Sequence, residues 1–239
     1  MTALIGGLMG GCTAAPKEIL DTTSSDSFFA HPLSLGERVT GRVSLAPESL
    51  GWPKGSTRMV LPAAREGGNG QVVGLLVVDG QMVGSQTLAP YDGVVLIDEK
   101  GQVLIDHVSA VEWGTDLFIL RGSKLDVQSL EERAGAEGAS LFQGPLLLDG
   151  GRNLSGPGVE VGAARRLTLY RDGSGHLGVL DSGSRRPTLR EHLDELAALD
   201  ATEAVALDPF GMSGLIWGAE GAGPIGDRAG GYLTLEWEE

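Results

Sequence analysis

A chain of 239 residues with 41% hydrophobic and 21% charged residues is long enough to bury a core without disulfide or metal staples. Its formal net charge of -14 repels phosphate backbones and anionic membrane surfaces, which sets nucleic acid aside as a partner and requires a local basic exception for any anionic ligand. The single cysteine excludes an intramolecular disulfide and a cysteine-based zinc site, while 38 glycines and 11 prolines predict short strands and tight turns rather than long helices.

In chain order, the segment to about Phe28 reads as a flexible N-terminus. Its apolar, small-residue opening through Cys12 and the polar stretch Lys17 to Asp26 resemble the end of a bacterial lipoprotein signal, with Cys12 as the lipidated residue. A plain disordered terminus is the alternative. No other apolar run approaches the roughly 18 residues of a membrane-spanning helix, so membrane contact is expected only through such an anchor. Residues 29–239 then read as one domain. Val72 to Asp79 is a strand-like run, and Gly93 to Asp98 with Val103 to Val108 form a hairpin turning at Gly101. Asp116 to Leu120 and Leu146 to Leu148 add strands, and Lys124 to Arg133 is a helix. Arg166 to Tyr170 and Leu177 to Leu180 form a hairpin about Asp172-Gly173-Ser174-Gly175. Leu189 to Leu199 is the clearest helix, with Leu189, Leu193 and Leu196 at helical spacing and Thr188 with Glu191 as a capping box. The expected fold class is α+β: a single domain, mainly antiparallel sheet with few helices packed on it.

Most motif matches carry no mechanism. Gly173, Gly175, Gly178 and Gly221, Gly223, Gly226 have dinucleotide-loop spacing, but neither set opens a helix after a strand, so no cofactor is expected. Gly211-Met212-Ser213-Gly214 lacks the second glycine of a nucleophile elbow. His31, His107, His176 and His192 show no helical metal-binding spacing. The arginine pairs Arg165-Arg166 and Arg185-Arg186 are the compact basic clusters.

Three ordered segments carry a resemblance. They are Gln143-Gly144-Pro145 with its apolar strand to Gly150, Arg165-Arg166 before a hairpin, and the capped helix followed by Ala204 to Asp208, a glycine-containing turn and a strand from Gly214 to Trp217. Together they resemble the phosphodiester glycosidase family, relatives of the uncovering enzyme that removes N-acetylglucosamine from a phosphodiester. Gly74 to Gly80 adds a weaker match, so about Met59 to Trp217 is covered. Two departures stand out. Pro62-Ala63-Ala64-Arg65-Glu66 occupies the place of the family's Asn-Gly-Gly-Phe-Phe, and Asp208-Pro209-Phe210-Gly211-Met212-Ser213 that of its Asp-Gly-Gly-Gly-Ser turn. Pro209 removes a backbone donor from a turn built to approach an anion.

The resemblance implies a hydrolase of a sugar phosphodiester or related envelope carbohydrate, secreted or held at the cell envelope. Asp208, Arg165 and Arg166 are its implied catalytic residues, and Gln143, Gly144, Arg65, Gly211 and Ser213 its implied substrate contacts, around a carbohydrate or sugar-phosphate ligand. The competing expectation is a non-catalytic carbohydrate- or envelope-binding protein of the same fold, with Trp113, Phe210 and Trp217 as stacking faces.

Overall fold

The computed structural model describes residues 33–35, 38–45, 57–67, 70–88, 91–154, 162–182, 185–207, 216–217 and 229–237. The first half contains β1 (Leu33–Ser34), β2 (Val39–Ser44), β3 (Thr57–Glu66), β4 (Val72–Val73), β5 (Leu75–Val78), β6 (Gln81–Ser85), β7 (Gly93–Ile97), β8 (Val103–His107), β9 (Val111–Trp113) and β10 (Asp116–Phe118). Helix α1 (Lys124–Glu137) leads to β11 (Ser140–Gly144), β12 (Leu146–Asp149), β13 (Arg152–Asn153), β14 (Leu167–Asp172) and β15 (Leu177–Asp181). Helix α2 (Leu189–Ala198), β16 (Ala201–Ala206), β17 (Ile216–Trp217) and β18 (Ala229–Trp237) complete the order.

Every strand pairing among the described residues is antiparallel. One sheet runs β1-β15-β14-β16-β12-β13 and a second β6-β5-β11-β7-β8. The third runs β17-β3-β18-β2 with β4 beside β3, and β9 and β10 form a separate ribbon. The largest core cluster draws Leu146, Leu169 and Val205 from the first sheet, Leu76, Val95 and Phe142 from the second, and Met59, Leu61 and Leu233 from the third. Three sheets thus share one apolar interior, the arrangement expected when each sheet has one face to bury.

Local chemistry explains the elements that periodicity anticipated. The Asp98 carboxylate accepts the N–H groups of Lys100 (2.9 Å) and Gln102 (2.8 Å), closing the β7–β8 turn around Gly101 at φ 80°. Asp172 does the same for Ser174 and His176 between β14 and β15, so Gly173 and Gly175 belong to a hairpin turn. Helix α2 starts on a reciprocal Thr188–Glu191 capping box and buries Leu189, Leu193 and Leu196, each worth about 2 kcal/mol of removed apolar surface. Helix α1 continues past Arg133 to Glu137 and stops at Gly138 in the left-handed region (φ 67°).

Two expectations are refined. The run Val72 to Asp79 is broken at Gly74 into β4 and β5. Pro62 to Glu66, aligned by resemblance with a loop, is the end of the ten-residue strand β3. Pro62 lies opposite Tyr232 of β18, between the stretches of β3 that pair with β17 (Met59, Val60) and with β4 (Arg65, Glu66).

Candidate functional site

One end of the six-stranded sheet gathers several of the implied site residues by backbone pairing alone. Val205 faces Leu146, Ala206 faces Thr168, and Leu167 faces Asp181. The Ala206 N–H donates to Pro145 O (2.8 Å) and the Leu207 N–H to Leu167 O (3.0 Å). Gly144-Pro145, Arg165-Arg166, Asp181-Ser182 and the residue preceding Asp208 therefore lie along a single edge. Gly144 is there for close approach: a Cβ on it would stand 2.9 Å from Ala206 O and 2.9 Å from a Val205 methyl.

The two arginines have separate tasks. Arg165 forms a two-point ion pair with Asp181, Nη2 to Oδ2 at 2.7 Å and Nε to Oδ1 at 3.3 Å, and the Asp181 side chain is only 1% exposed. Arg166 is fixed from its backbone outward. Its N–H donates to Ser182 Oγ (2.8 Å), Nε donates to Pro187 O (3.2 Å) and Nη2 to Gly162 O (3.1 Å). Those carbonyl bonds orient the guanidinium, and burial pulls its pKa below the usual arginine value. Arg185 pairs with Glu195 at 2.8 Å.

Gln143, another implied residue, is employed differently. Gln143 turns away from the arginine edge: its Oε1 accepts the N–H groups of Leu75 (3.3 Å) and Leu88 (3.1 Å), and its Nε2 donates to Leu88 O (3.1 Å) and Tyr91 O. The residue thus holds the chain's own backbone. Arg65 pairs through its backbone with Val73 and Ala229 in the third sheet. Trp113, a candidate stacking face, is 5% exposed with the Arg133 guanidinium 4.5 Å from its ring centroid, and so is core. Cys12, Asp208, Phe210, Gly211 and Ser213 lie outside the described residues, as do the side chains of Arg65 and Trp217.

Two titratable features, one fully buried and one half-buried, had no sequence signal. His192, on the inner face of α2, is fully buried; its Nε2 lies 2.8 Å from Thr168 Oγ1 and its Nδ1 has no hydrogen-bond partner. Burial, helped by the Arg166 and Arg185 charges, lowers its pKa to about 4. On the opposite side, Asp106 of β8 accepts the Glu112 N–H (3.1 Å). Its pKa is pushed up to about 6, mainly by burial and further by the Glu203, Glu112 and Asp149 charges. Arg171 spans this region, donating to Glu203 (3.2 Å), Gly175 O (2.9 Å) and Val103 O, and so ties the first sheet to the second. Among the described residues, no group of three or more His, Cys, Asp or Glu is placed to hold a metal ion.

Asp106 has a measurable consequence. With a folded pKa raised above 3.8, its stabilising protonated form is fully present below about pH 3.8 and lost as pH rises through about 6. The full difference corresponds to about 3 kcal/mol, which partial solvent access reduces to about 1 kcal/mol. Asp106→Asn is therefore expected to be about 1 kcal/mol more stable than the parent at pH 7.5 and equal to it near pH 3.5, read from urea midpoints at the two pH values.

No family model and no curated protein sequence matches the chain. Among solved structures, the zebrafish N-acetylglucosamine-1-phosphodiester alpha-N-acetylglucosaminidase catalytic domain, auto-inhibited by its pro-peptide, is similar at a TM-score of 0.50 and 14% identity, over 84% of this chain and 73% of that one. A hypothetical protein from Synechocystis matches at a TM-score of 0.49 and 13% identity, over 84% of this chain and 57% of that one. At such identity the zebrafish domain establishes a likeness of fold.

Proposed function

We propose that the chain is a phosphodiester glycosidase-like hydrolase, acting on a sugar phosphodiester or a related envelope carbohydrate at the arginine edge. The observation that carries the reading is the convergence of Gly144, Arg166 and the residue before Asp208 on one end of the six-stranded sheet. The likeness of fold to the zebrafish phosphodiester-cleaving domain supports it. In this reading Asp208 exchanges a proton with the leaving or attacking oxygen, Arg166 offsets the phosphate charge, and the Arg165–Asp181 pair holds the frame. In the same reading Gly211 and Ser213, which follow Asp208 in sequence, supply backbone and hydroxyl contacts. Cys12 as a lipid anchor would hold residues 29–239, as a single domain, at the cell envelope; no helix among the described residues is long and apolar enough to cross a membrane.

A second reading, a non-catalytic carbohydrate binder, is favoured by Pro209, which removes a donor from the turn after Asp208. A panel of sugar phosphodiesters separates the two. Turnover is expected, with Asp208→Asn lowering kcat by about a hundredfold or more and Arg166→Ala weakening phosphate-bearing substrates more than neutral ones. Folded protein that binds the panel without turning any of it over would establish the second reading instead.

A further inference from the structure

We propose that the trough between β10 and α1 is a docking surface for a partner protein segment carrying lysine or arginine side chains around aliphatic anchors. The first observation is a concentration of exposed apolar side chains. Among the described residues, the large hydrophobics that stand exposed include Leu117 (57%), Ile119 (46%) and Leu125 (75%), all within one short stretch of chain. Leu117 and Ile119 share a face of an extended segment, because Phe118 between them points into the core at 7% exposure. The Ile119 N–H donates to Asp126 Oδ2 (3.1 Å), which brings this segment against the first turn of α1 beside Leu125. On α1, Leu125, Ser129 and Glu132 fall on one stripe, and the latter two line the trough, a hollow of about 770 Å³. Soluble surfaces scatter single apolar residues; a grouped set beside a concavity marks an interaction site.

The second observation is the charge of the rim, which selects the occupant. Asp116, Asp126, Glu132 and Glu137 line the hollow with Arg133. Arg133 already serves Asp116 (2.5 Å), Glu137 (3.0 Å) and Trp113 O (2.6 Å). Asp126 and Glu132 accept from neutral donors, the Ile119 N–H and the Gln128 amide (3.0 Å), and so keep their charge toward solvent. A basic segment complements this rim. A second copy of the chain would bring two such rims together at a net charge of -14 each, and an anionic membrane would be repelled.

The test uses the full chain and a fluorescein-labelled synthetic peptide of repeating Leu-Lys-Lys-Leu, read by fluorescence anisotropy at physiological salt. Leu125→Asp adds a negative charge, so attraction to net charge alone would strengthen binding, whereas docking predicts a loss of about tenfold. Glu132→Lys should weaken binding more than Glu99→Lys in the distant β7–β8 turn, although both change the net charge equally. Val83→Asp should leave binding unchanged. Leu125 and Val83 are both exposed, and unchanged circular dichroism confirms folding. Equal binding by the parent and Leu125→Asp, or equal binding of a peptide with glutamate in place of lysine, overturns the proposal. So does Leu125-dependent self-association, which assigns the trough to a second copy, or Leu125-dependent binding to phosphatidylcholine vesicles, which assigns it to a lipid surface.

Discussion

Gln143→Leu is expected to destabilise the protein by about 3–5 kcal/mol and to lower Tm by about 10 °C. The replacement nearly preserves volume, so the cost comes from hydrogen bonding. Gln143 is 3% exposed and serves four backbone groups: the N–H of Leu75, the N–H and C=O of Leu88 and the C=O of Tyr91. Each buried group left unpaired, as at Leu75 and Tyr91, costs about 1–3 kcal/mol, and hydration of the two groups on half-buried Leu88 keeps the sum below the simple total. Gln143→Glu should fall nearly as far, because a carboxylate can accept from the two N–H groups but faces two carbonyl oxygens with no proton to offer. Thermal melts and protease susceptibility between Gln81 and Gly93 read the effect. The substrate-contact role implied by resemblance predicts the opposite: Tm preserved and only ligand affinity reduced.

The same residue shows why the sequence yields some levels of structure and not others. Helix α2 was legible because its signals are local: the cap lies within Thr188 to Glu191, and the apolar stripe of Leu189, Leu193 and Leu196 within two turns. The two hairpins were legible because Asp98 and Asp172 close their own turns. Gln143, by contrast, acts on residues 55 and 68 positions away, and no window of sequence contains that relation. The β18 strand sits between β3 and β2, more than a hundred residues upstream, and its Gly230-Gly231 gives no strand signal of its own.

At the site, composition pointed to the arginine pair but could not divide its labour. Successive residues of an extended segment point to opposite sides, so Arg165 reaches buried Asp181 while Arg166 reaches Pro187 and Gly162. Asp106 was invisible for the same reason as Gln143: the carboxylates that raise its pKa include Glu203 of β16 and Asp149 of β12.

His192 provides the largest pH effect. Its pKa falls from 6.5 in the unfolded chain to about 4 in the fold, so the folded state resists the proton that the unfolded state accepts. Stability due to this residue is fully present above about pH 6.5 and is lost as pH falls toward about 4. The difference corresponds to about 3 kcal/mol. The physical cause is specific. Protonation would bury a charge away from water and leave an N–H at Nδ1 with no acceptor in reach, while Nε2 stays beside Thr168 and the nearby charges of Arg166 and Arg185 are both positive. His192→Gln can keep a hydrogen bond to Thr168 without titrating. The difference in unfolding free energy between parent and variant should therefore shift by about 3 kcal/mol between pH 7 and pH 4 in the variant's favour, with carboxylate contributions common to both cancelling. A difference that stays flat across that range would mean that an acceptor for Nδ1–H forms in the folded protein. In that case the packing of α2 against β14, and with it the frame around Arg166, would be far more tolerant of acid than the buried imidazole requires.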